Sequence, residues 1–133
     1  MPGKINSLSE QEQEKYLQNT FNINQIKLHE DIQHNCPLGE QVGVTHYEIE
    51  VHPNEHLAEL IQLHWDLQKM VGQTFTLESG AAQVLDIVKA AYKDPAYVGV
   101  RASCGTNRHM AVDVVVEYFE EPDLNDLQSL LGE

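Results

Sequence analysis

Residues 44 to 51, VTHYEIEV, alternate without a break: Thr45, Tyr47, Ile49 and Val51 fall on one side, His46, Glu48 and Glu50 on the other. A strand points successive side chains to opposite faces, so this pattern predicts one with a dry face and a wet one. Upstream, INQIKLHEDI (23–32) places Ile26, Leu28, Glu30 and Ile32 on a common face and predicts a partner strand. HNCPLGEQVG joins the two, with Pro37, Gly39 and Gly43 as turn residues. Downstream, Pro53 stops the strand and Asn54 is suited to cap a helix from Glu55 to about Met70. Its apolar positions Leu57, Leu60, Ile61, His64, Leu67 and Val71 recur at helical spacing and predict one buried face. Gly72 breaks that period. A second helix is predicted from about Gly80 to Tyr92 with a stripe of Ala81, Leu85, Val88 and Tyr92, ended by Asp94-Pro95. Strands over Tyr97–Cys104 and Met110–Phe119 close the core.

The order is therefore strand, strand, helix, helix, strand, strand, an α+β domain over residues 22–122. Residues 1–21 form a polar arm in which Ser9, three before Glu12, has the spacing of a helix start. The tail 123–133 carries Leu124, Leu127, Leu130 and Leu131 at helical spacing, as a docking amphipathic helix would.

A chain of 133 residues is about one domain and can bury roughly two-thirds of its surface. No apolar run reaches the ~18 residues of a membrane span, and the polar N-terminus has no signal-peptide character, so a cytoplasmic protein is expected. The net charge of −13, from 21 acidic and 8 basic residues, disfavours a broad nucleic-acid surface such as one for tRNA. It leaves room for a small anionic ligand in a local pocket. Cys36 and Cys104 are expected as thiols, ligands or a nucleophile rather than a disulfide.

The element order matches the tunnelling fold, whose pterin and purine enzymes set four antiparallel strands against two helices and assemble into barrels. Four local features add to it. Cys36-Pro37 lies in the loop between the first two strands, with Gln41 five residues on. Glu59 precedes Glu78 by 19 residues, Asp94-Pro95-Ala96-Tyr97 enters the third strand, and Arg108 lies between the last two strands ahead of Tyr118 and Pro122. In this order the features resemble the 7-cyano-7-deazaguanine reductase family of queuosine and archaeosine biosynthesis, over residues 30 to 122. The resemblance implies a homo-oligomer binding a purine-like or pterin-like base between subunits. The chain departs from the reductases in three places: Gly43 stands where their acid is, ELIQLHWDL (59–67) lacks the lysine of their nicotinamide-cofactor motif, and Leu77 replaces a histidine. It is thus more similar to the reductase-like branch resembling archaeal amidinotransferases, which implies no cofactor.

On that resemblance Cys36 would attack the substrate nitrile as a thiolate, giving a thioimide. His34 and His46 are the nearby histidines able to serve as its base, and His46 is the expected one. Glu78, beside the start of the second helix, would hold a guanine-like ring as a buried carboxylate, with Glu59 and Arg108 as further substrate ligands. The plain alternatives are a turn cysteine and an acid favoured by the helix dipole. Cys104 with Arg108 four residues later also resembles the GTP cyclohydrolases. That likeness implies a zinc-dependent hydrolase using Cys36, Cys104 and His46 or His109, open at a fourth position for water. A non-catalytic base-binding or assembly protein is the third reading. His52, His56 and His64 read as core or interface histidines; Arg101, a scarce positive charge in an acidic chain, is expected either to face a pocket or to pair with Glu117 across the last two strands.

Overall fold

The computed structural model describes residues 7–37, 42–107 and 110–120. Its elements run α1 (Glu10–Phe21), β1 (Ile26–Asn35), β2 (Val42–His52), α2 (Leu60–Gln68), α3 (Leu77–Tyr92), β3 (Tyr97–Asn107) and β4 (Met110–Phe119). The strands form one antiparallel sheet in the order β1-β2-β3-β4, so β1 and β4 are its edges. Among the described residues no helix is long and apolar enough to cross a membrane.

The alternation of β2 decides the layering, as expected. Thr45, Tyr47, Ile49 and Val51 are buried, joined from β1 by Ile32 and from β3 by Val98, Val100 and Ala102. Val112, Val114, Val116 and Tyr118 of β4 are half-buried on the same side. Helix α3 covers this face with Ala81, Val84, Val88 and Tyr92, all fully buried. Among the described residues no helix covers the opposite sheet face.

The helices depart from expectation at their starts. In α1 Ser9 and Glu12 form a reciprocal capping box, so residues 10–21 of the arm form a helix, yet no residue of it is buried. Gln18 joins it to the body: its amide nitrogen donates to Asn54 O at 2.5 Å, and its oxygen accepts from Ile23 N at 2.8 Å. Helix α2 begins at Leu60, not Glu55, because Glu59 supplies the cap. Asn54 instead donates to Asp94 O at 2.8 Å. The buried side of α2 is Leu63 and Leu67, continued by Met70. Much of the stripe expected there faces outward, with Leu60, Ile61 and Val71 exposed by 49, 67 and 44%; Trp65, outside that stripe, is exposed by 60%. Two overlapping apolar stripes compete on so short a helix, and the sheet takes the one without the tryptophan. Gly72, at φ 82°, makes the turn out of this segment that a side chain would strain. Helix α3 starts three residues earlier than expected, with Thr76 and Ser79 capping one another.

Candidate functional site

Cys36 follows the last residue of β1, where a non-local zipper fixes the chain. Gly72 N donates to Gln33 O, Asn35 N to Gln73 O and Phe75 N to Asn35 O, at 2.9, 2.9 and 3.2 Å. The connection from α2 to α3 thus runs parallel to the end of β1. One residue beyond the zipper on one strand is Cys36, and three beyond it on the other is Glu78, in the first turn of α3. The fold therefore brings the expected nucleophile and the expected ring anchor to the same end of the sheet. Both are exposed, which corrects the expectation of a buried Glu78. Gln41, five residues past the cysteine, lies outside the described residues.

Beneath them lies a buried polar floor. The ring of His34, 5% exposed, stacks on Phe75 at 4.2 Å between centroids, and its Nε2 bonds Thr45 Oγ1 at 2.6 Å. Both ring nitrogens of His34 are engaged, Nδ1 weakly with Asn35 O at 3.3 Å. The Tyr47 hydroxyl is buried with no hydrogen-bond partner among the described residues. Thr45 lies beside it, and the Thr45 hydroxyl is bonded to His34. Burial pushes the Tyr47 phenol up to about 12, with a smaller lowering from Thr45 and a small push from neighbouring Cys104. Cys104 is thus a half-buried residue of the core face, level with Ala102, and both cysteines are free thiols.

Two more phenols are raised. Burial takes Tyr92 to about 12, and Tyr97 reaches about 12 through its 2.7 Å bond to Glu117. Each holds its proton more tightly folded than unfolded. Their stabilising contribution is complete below pH ~10 and is lost as pH rises through 12. Phenolate absorbance from these three rings should develop around pH 12 in the folded chain. One transition near pH 10 for all five tyrosines would contradict it.

The remaining expected residues are dispersed. Glu59 accepts from Ile61 N at 3.2 Å and Gln62 N at 2.5 Å, so both carboxylate oxygens cap α2. That cap is at the helix end away from the zipper, about 14 Å from it at ~1.5 Å per residue. It faces α1, where burial first, then the charge of Glu59, raises Glu14 above the usual carboxylate range. His46 pairs in register with Asp31 on the open sheet face. Cys36 lies five residues farther along β1, about 16 Å at ~3.3 Å per residue, so one chain does not bring His46 to the thiol. Cys104 stands beyond Ser103, the partner of His46, two strands over from β1. By register it is roughly 16 Å from Cys36, too far to share a metal ion within one chain. Arg108 and His109 lie outside the described residues.

The histidine pairings also differ from expectation. His64 is exposed and ion-pairs through Nδ1 with Glu30 at 2.5 Å, and His56 precedes α2 on the surface. Arg101 pairs with Asp113 at 3.7 Å rather than with Glu117. Among the described residues, side chains spaced to hold a cation are His29, His46 and Glu48, and also Glu55, His56 and Asp94; neither set contains a cysteine.

No family model matches the sequence, and no curated protein matches it. Solved structures do match. An archaeosine synthase QueF-like protein in the apo form superposes with TM-score 0.66 at 23% identity, covering 75% of this chain and 98% of that one. A putative dihydroneopterin aldolase (FolB) from Vibrio cholerae superposes with TM-score 0.63 at 9% identity, covering 74% and 98%. At such identities the likeness concerns the fold, and it establishes the tunnelling fold.

Proposed function

On the premise of a tunnelling fold, we propose that this chain is an enzyme acting on a nitrile-bearing, guanine-like 7-deazapurine through covalent attack by Cys36. The observation that carries the reading is the zipper of Asn35 with Gln73 and Phe75, which leads to Cys36-Pro37 just past the end of β1 and to Glu78 in the first turn of α3, at one end of the sheet. The likeness to an archaeosine synthase points the same way. The Cys36 thiolate adds to the nitrile carbon, a C–S bond forms, one C–N π bond breaks, and the nitrogen takes up a proton to give the thioimide. Ammonia would then displace the thiol and leave an amidine. Glu78 accepts hydrogen bonds from the ring N–H and exocyclic amine, a charge-assisted pairing.

The site is open to solvent on one chain. Among the described residues β4 and the part of β1 before Gln33 have no further strand partner, and these sheet edges support a homo-oligomer in which edges pair and a neighbour covers the base. His46 and Glu59 would reach the base only from such a neighbour. The zinc-hydrolase reading lacks a cysteine-containing cluster among the described residues.

The test is mass spectrometry, native and denatured, with and without 7-cyano-7-deazaguanine. A mass gain equal to the base is expected to survive denaturation and to vanish in Cys36→Ala. Reversible binding with no adduct would instead make the chain a base-binding protein. A bound zinc lost in Cys36→Ala would restore the hydrolase.

A further inference from the structure

From the open face of the sheet we infer a binding site for a divalent transition-metal ion, formed by His29, His46 and Glu48 and oriented by Asp31. The four side chains make a square on two paired strands: His29 opposes Glu48, and Asp31 opposes His46. His46 Nδ1 lies 2.6 Å from Asp31 Oδ1, so Nδ1 is the donor and a neutral ring keeps its lone pair on Nε2. That nitrogen points into the square, 3.5 Å from His29 Nδ1 and 3.9 Å from Glu48 Oε1. All three ligand atoms lie within 4.8 Å of one another. A tetrahedral ion with bonds of ~2.0–2.1 Å needs edges of roughly 3.4 Å, so small side-chain motions suffice.

A carboxylate that fixes the tautomer of a histidine, leaving its other nitrogen free, is how proteins orient a metal-binding imidazole. The alternative, a set of solvated cross-strand pairs, does not require Asp31 to hold Nδ1 of the same ring whose Nε2 both remaining ligands approach. Imidazole nitrogens with one carboxylate suit zinc, copper, nickel or cobalt rather than calcium or magnesium. His29 and Glu48 also line a depression of about 460 Å³ on this face, bordered by Lys27, Glu50, Tyr97 and Arg101. Three protein ligands would leave a fourth coordination position open to water or a small ligand. A surface with Asp31, Glu48, Glu50, Asp113 and Glu117 against Lys27 and Arg101 attracts cations. The site does not depend on Cys36 or on the proposed base chemistry.

The test uses the untagged full chain, stripped with chelator, titrated with Zn²⁺ by calorimetry and with Co²⁺ by visible absorption. One ion per chain is expected in the micromolar range or tighter. Binding should fall at least tenfold in His29→Ala and in His46→Ala, and about 10–100-fold in Asp31→Asn, which leaves the ligands in place. His56→Ala and Cys36→Ala should bind like the parent. Circular dichroism of each variant separates lost ligands from lost fold. Binding no tighter than millimolar, or binding unchanged in a folded His46→Ala, would overturn the site. So would loss confined to His56→Ala.

Discussion

Gly80→Ala is expected to destabilise the fold by about 1–3 kcal/mol, although alanine is the better helix former by about 1 kcal/mol. A Cβ at Gly80 would stand 2.5 Å from the Tyr47 hydroxyl and 2.7 Å from two ring atoms of Phe75. Tyr47 is fully buried and Phe75 is 4% exposed, so neither ring can swing into solvent to make room. Relief requires these two buried rings or α3 itself to shift, which disturbs the floor of Phe75 and His34 near Cys36. Tyr47→Phe tests the cause. Removing a buried hydroxyl with no partner should cost little and can stabilise. In that background the alanine should cost measurably less, because one of its close contacts has gone. Urea denaturation of the two single variants and the double variant gives the coupling directly. A Gly80→Ala protein as stable as the parent would mean that helix and sheet are not in close contact here.

Glu78→Gln is expected to weaken binding of a guanine-like base by about 10–100-fold, the range of a charge-assisted hydrogen bond worth ~1.5–3 kcal/mol. Titration in a Cys36→Ala background makes the binding reversible and separates it from the chemistry. Glu78 is exposed in the first turn of α3, where a negative charge is worth only ~0.3–1 kcal/mol to the helix. Stability should therefore fall slightly while affinity falls steeply. An unchanged affinity would leave Glu78 as a residue that serves the helix dipole.

The strands were legible because their faces differ in solvation. Thr45, Tyr47, Ile49 and Val51 on one side and three polar residues on the other admit one reading, and burial agrees at every position. Helix α3 was legible for the same reason. Helix α2 was not: Asn54 and Glu59 are both chemically able to cap, and the choice rests on distant partners, Gln18 and Asp94 for Asn54. Cys36-Pro37 could be placed in a loop from its turn residues. Its nearness to Glu78 comes from the pairing of Asn35 with Thr74, 39 positions apart, which no local pattern encodes. The metal-binding square was half legible. His29-x-Asp31 and His46-x-Glu48 each have the spacing that puts two side chains on one strand face. Only the register of β1 on β2 shows that the pairs meet.

Helix α1 is capped at its start yet buries no residue, is anchored to the body through Gln18, and sets Glu14 against the like charge of Glu59. With so few buried contacts it is expected to open as a separate unit, or foldon, at a lower free energy than the sheet, and amide exchange faster in residues 10–21 than in the strands would show it. Its population of undocked states is set by a local equilibrium, and loss of the docked helix leaves the global unfolding transition nearly where it was. Bulk stability measurements on this chain report the sheet and α3, and are nearly blind to the segment that covers the start of α2.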